Sequence, residues 1–202
     1  MHPFFKEIQN HPKLVSHCDL SIVDLPAAYR GNGPIKAILL GADPTNNGTK
    51  DNKGLKELKT VFGIGEFMEF FRPQESNLRQ IGLDKENLYI QNICRNYFKK
   101  EISKNKYWGE IAQVWFPYLK EELDKFDAAK KLPVLSPSEV IMKVLVEKKV
   151  AKASAIYANN MSYLSEVLGR QVYALYRHPR YSLSSDTNRL YKEYLNEVLN
   201  IT

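Results

Sequence analysis

The chain is sparing with the residues that most often announce chemistry: two cysteines, four histidines and two tryptophans among 202 residues. Cys18 and Cys94 lie far apart, and neither cysteines nor histidines have the spacing of a zinc or iron–sulfur site, so no metal is expected. No apolar run approaches the roughly 20 residues that cross a bilayer. The opening Met1-His2-Pro3-Phe4-Phe5-Lys6-Glu7 has no basic start followed by an apolar segment, so a cytoplasmic protein with reduced thiols is the expectation. Repeats, low-complexity tracts and linkers are also missing, which points to one domain over residues 1–202. What remains is an ordinary globular balance, 44% hydrophobic and 26% charged, with a net charge of +6 that suits a polyanionic partner without demanding one.

The apolar runs predict four strands, at residues 35–40, 87–92, 132–135 and 171–176. Helical patterns lie between and around them. Residues 3–17 read as a short helix interrupted near Pro12, and 106–126 as a strongly patterned helix that Pro117 kinks or splits. Ser136 and Glu139 have capping-box spacing around Pro137 and start a helix over 137–148. Met161, Leu164, Val167 and Leu168 suggest a helix over 160–168 that Gly169 stops, and a last helix runs from Ser185 or Asp186 to Leu199. Leu55, Leu58, Val61 and Phe62 form a helical or turn-like run. Residues 66–80 are apolar enough to be packed, in a geometry the pattern does not assign. The polar, Gly- and Asn-rich loop through Lys53 reads as exposed and mobile. Alternation of strands and helices gives an α/β fold, three layers α/β/α around a central four-stranded parallel sheet.

Three of these strands end on polar groups: the first on Asp43, the second on Asn92, the last on His178. Parallel strands would bring all three to one crevice at the carboxyl edge, where open α/β sheets bind ligands. Taken singly, each has a plainer reading. Asp43 suits a turn, Asn92 can satisfy loop backbone, and His178 can be a hydrogen-bonded histidine at a strand end. The Trp108–Trp115 stripe, and Phe62 to a lesser degree, read as core.

Gly41-Ala42-Asp43-Pro44-Thr45 after an early strand, His178-Pro179-Arg180-Tyr181-Ser182-Leu183-Ser184 after a late one, and Asn92 between them form an ordered set. It resembles the signature motifs and base-reading asparagine of the uracil-DNA glycosylase superfamily. The similarity extends to the lead-in from Leu25 to Pro44. It implies a monomeric, cofactor-free enzyme that flips a base out of single- or double-stranded DNA and hydrolyses its N-glycosidic bond. Asp43 would orient water and steady the sugar cation, and His178 would donate to the departing base. Asn92 would read the base edge, Phe62 would stack on it, and Ala42 and Thr45 would line its site. Pro44, Arg180, Ser182 and Ser184 would touch the DNA backbone. Leu183 would be the wedge, with Tyr181 or Arg180 as alternatives. The family's best-known members carry a bulky tyrosine where this chain has Thr45, so strict uracil specificity is not implied. The leucine also stands one residue further from His-Pro. Two other functions fit the same residues: a nucleic-acid or nucleotide-binding protein without efficient chemistry, and an enzyme on nucleoside-like small molecules.

Overall fold

The structure is a computed structural model that describes residues 1–46, 55–147 and 149–200; most of the loop through Lys53 lies outside the described residues. Ala37–Gly41 and Leu88–Asn92 are buried along their whole length, which explains why neither alternates between apolar and polar side chains. They are β2 and β3 of one sheet that also contains β1 (Tyr29–Arg30), β4 (Val134–Ser136), β5 (Ser162–Ser165) and β6 (Arg170–Ala174). The order is β1-β3-β2-β4-β6-β5. Pairing is parallel from β3 through β2 and β4 to β6, and antiparallel at both edges. The four expected strands are therefore the centre of a six-stranded sheet. Neither edge strand stands out as an apolar run: β1 is two residues long, and in β5 the apolar residues have helical spacing while a serine is the buried one.

Among the described residues seven α-helices accompany the sheet: α1 (Phe4–Ile8), α2 (Pro12–Val15), α3 (Arg72–Gln80), α4 (Trp108–Phe126), α5 (Glu139–Leu145), α6 (Ala153–Ala158) and α7 (Arg189–Val198). Phe4 of α1 stacks on Trp115 of α4 at 4.3 Å, and Val144 of α5 lies against Gly109 of α4. A second group joins α6 to α7 through the Tyr157 and Tyr191 rings at 4.3 Å, and α7 to α3 through Lys192 and Gln80. Among the described residues no helix is long and apolar enough to cross a membrane, and both cysteines are buried and free.

Three local expectations are corrected. Residues 162–165 are strand, not helix: Leu164 is 56% exposed while Ser165 is sealed, so the apolar spacing marks no buried helical face. Gly169, at φ +64°, turns the chain into β6 instead of ending a helix. The helix after β4 is capped by Ser138, whose hydroxyl accepts from Ile141 N–H, whereas Ser136 belongs to the strand. Pro117 neither splits nor ends α4. It and Gln113, whose carbonyl its ring leaves without a donor, are both exposed, so water can serve that carbonyl.

Candidate active site

The carboxyl end of β2 is built around a missing side chain. A Cβ on Gly41 would stand 2.2 Å from Asn92 Oδ1 and 2.7 and 2.8 Å from Cζ and Cε2 of Phe62. Glycine alone lets the amide and the ring both close on the strand end where a side chain would stand. Asn92, paired with Gly41 across the sheet, is 3% exposed, and its side-chain amide has no hydrogen-bond partner among the described residues. It is also not among the polar groups sealed from solvent, so the amide keeps some access from outside. Phe62 is partly exposed and held at φ +55°, a left-handed conformation unfavourable for an aromatic residue. Such strain, about 1–3 kcal/mol, persists where surroundings enforce it and clusters at functional sites.

Past Gly41, the parallel pairing continues: Ile93 N–H donates to Gly41 O and Cys94 N–H to Ala42 O, both at 2.9 Å. Ala42 is thereby fixed at the crevice floor. Asp43 follows, with Oδ1 accepting from Thr45 N–H at 2.8 Å and Oδ2 from the Trp108 indole N–H at 2.9 Å. Part of the residue meets solvent, yet its carboxyl is deeply set. Burial pushes that carboxyl up to about 6; the Thr45 and Trp108 hydrogen bonds act against burial, and the Glu101 charge acts with it. The Thr45 hydroxyl accepts from Phe98 N–H at 2.8 Å and also favours the charged form of the Asp43 carboxyl. Pro44 is buried and its carbonyl accepts from Asn46.

β4 lies between β2 and β6, so the segment that carries His178 leaves the same sheet edge as the one that carries Asp43, two strands over. His178 is exposed, and its Nδ1 accepts from Arg180 N–H at 3.2 Å. A neutral imidazole that accepts at Nδ1 carries its proton on Nε2, so the outward nitrogen is the donor. The loop is held from behind by two buried asparagines that sequence patterns did not single out. Asn77 of α3 donates to Tyr176 O at 3.0 Å and accepts from Leu183 N–H at 2.9 Å, bridging both ends of the loop. Asn188 donates to Arg180 O and Ser182 O. The Tyr157 hydroxyl accepts from Tyr176 N–H.

The fold thus brings Asn92 of β3 and Phe62 of the turn Val61–Gly63 against Gly41 at the end of β2, with Ala42, Asp43 and Thr45 following directly and His178 leaving the same sheet edge. Arg180 and Ser184 are exposed, and Tyr181 and Ser182 are partly so, with the two serine hydroxyls 2.7 Å apart. Leu183 departs from expectation: at 2% exposure it is packed in the core, its N–H held by Asn77, and it presents no wedge outward. Trp108 is core, as its spacing indicates, and also the partner of Asp43. Among the described residues no group of three or more His, Cys, Asp or Glu is placed to hold a metal ion. Comparison with family models and with curated proteins finds no match for this chain. Fold and site together define a mixed α/β protein with polar and aromatic side chains gathered at the carboxyl edge of parallel strands.

Proposed function

We propose that the chain is a DNA glycosylase on a three-layer α/β/α fold, hydrolysing the N-glycosidic bond of uracil or a related damaged base. The observation that carries this reading is the unpartnered, nearly buried amide of Asn92 beside the strained Phe62 ring. Having no protein partner, that amide is free to pair with a ligand, and it can both donate and accept. A planar base with a carbonyl next to an imide N–H answers both groups: its face meets Phe62 and its edge meets Asn92.

Cleaving the bond leaves positive charge on the sugar and negative charge on the base. The Asp43 carboxylate steadies the sugar cation and orients the attacking water, each oxygen keeping a lone pair beyond its Thr45 or Trp108 bond. The Nε2–H of His178 donates to the pyrimidine oxygen as negative charge develops. Arg180, exposed and beside His178, is the side chain available to enter the gap in the stack.

The test is excision from oligonucleotides carrying uracil, hypoxanthine or mismatched thymine, with alkali to cut the abasic product. Asp43→Asn and His178→Ala should each slow single-turnover cleavage by about 10²–10³-fold while leaving DNA affinity near the parental value. The double variant should lose less than the product of the two effects. Parental rates in both folded single variants would place the chemistry elsewhere.

A further inference from the structure

The segment after β3 carries four lysines in eight residues, Lys99-Lys100-Glu101-Ile102-Ser103-Lys104-Asn105-Lys106, and the fold adds more positive charge to it. Lys13 of α2 places its Nζ 4.4 Å from the Tyr107 ring centre, and Lys106 places its own at 4.9 Å. The His17 ring meets the same tyrosine edge-on at 4.6 Å. Lys99 joins this cluster through its N–H on His17 O and its Nζ on Ser16 O. Lys13, Lys99 and Lys106 are exposed, and none forms an ion pair among the described residues. The nearby carboxylates are engaged otherwise: Glu101 lies 3.8 Å from Lys104, and Asp19 accepts from Ser21. Like charges gathered on one aromatic ring without a matching carboxylate repel one another, and a phosphate chain relieves that repulsion.

This cluster is tied to the candidate site. Tyr107 directly precedes Trp108, which holds Asp43, and Phe98 N–H is held by Thr45. In the chain its lysine-rich segment follows β3, whereas Arg180 follows β6, and β3 and β6 stand on opposite sides of β2. From β3 to β6 is three strand steps, roughly 14 Å. That equals the rise of about four nucleotides at about 3.4 Å each.

We infer that the surface formed by Lys13, His17, Lys99, Lys106 and Tyr107 is a second contact for a nucleic-acid backbone, flanking the Asp43 crevice opposite Arg180. The inference rests on the glycosylase reading for the path of the strand, but not for the existence of the surface. A partner long enough to touch both flanks is an oligonucleotide; a free nucleoside reaches only the crevice.

The experiment measures binding of a fluorescein-labelled uracil oligonucleotide, single-stranded and duplex, across a salt series. The variants are Lys13→Glu/Lys106→Glu and the gentler Lys13→Gln/Lys106→Gln, each checked for folding by circular dichroism. Lys125→Glu/Lys131→Glu, at the opposite end of α4, makes the same charge change away from the site. The plot of log affinity against log salt should lose about one unit of slope per phosphate contact removed in the patch variants, and far less in the control. Cleavage at saturating DNA should stay near parental while KM rises. Equal slopes in patch variants, control and parent would overturn the inference, as would patch variants that lose binding to anionic lipid vesicles but not to DNA. Patch-dependent binding without excision by the parent would leave the surface standing and remove the chemistry. Excision with an unchanged slope would do the reverse.

Discussion

Trp108 belongs to the core and to the candidate site at once. It is 2% exposed, yet its N–H is one of the donors that favour the charged Asp43 carboxylate against the cost of burial. The proposed reaction needs Asp43 ionised, so the rate should rise about tenfold per pH unit below about 6 and level off above it. Trp108→Phe keeps the ring and removes the donor. Its acid limb should move to higher pH, because the charged form has lost a hydrogen bond, and activity should recover as pH rises. A pH–rate profile measured under single-turnover conditions checks this. A limb that stays in place while the plateau falls would give Trp108 a packing role only.

At the scale of elements, the loop after β6 is where organisation depends most on one side chain. Asn77 reaches from α3 to both ends of that loop, so Asn77→Ala removes an acceptor and a donor together. We expect a loss of about 1–3 kcal/mol in stability, faster amide exchange over 177–185, and a lower kcat, with the Asp43 pH limb unmoved. Hydrogen exchange read residue by residue separates this from general loosening of α3. The central strands were legible in the sequence because burial on both faces leaves continuous apolar runs, as in β2 and β3. β5 was not, because its apolar residues mimic helical spacing and pairing with β6, not burial of Leu164, defines it. Asp43, Asn92 and His178 were legible as polar ends of apolar runs. Their supports were not: Asn77 and Asn188 act across about a hundred residues and eight residues of chain respectively, through backbone atoms that no side-chain pattern records.

Unfolding free energy is a property of the whole molecule, and Asp43 makes it depend on pH in an unusual direction. An exposed aspartate titrates near 3.9, whereas in the folded protein burial holds this one at about 6. Between these values the native state binds more protons than the unfolded state. Stability from this group is therefore fully present below about pH 4 and is lost as pH rises through about 6, the reverse of a salt-bridged carboxylate. Two pKa units correspond to about 3 kcal/mol. Asp43→Asn removes the titration but also sets an amide N–H₂ against one of two donors, a cost that does not change with pH. The absolute difference between variant and parent thus mixes two effects, while its pH dependence reports only one. Chemical denaturation of both proteins at about pH 4 and about pH 7 should show the variant gaining on the parent by about 3 kcal/mol. If the difference is the same at both pH values, the carboxyl is not held up by burial, and the molecule carries no stored charge at the crevice for catalysis to use.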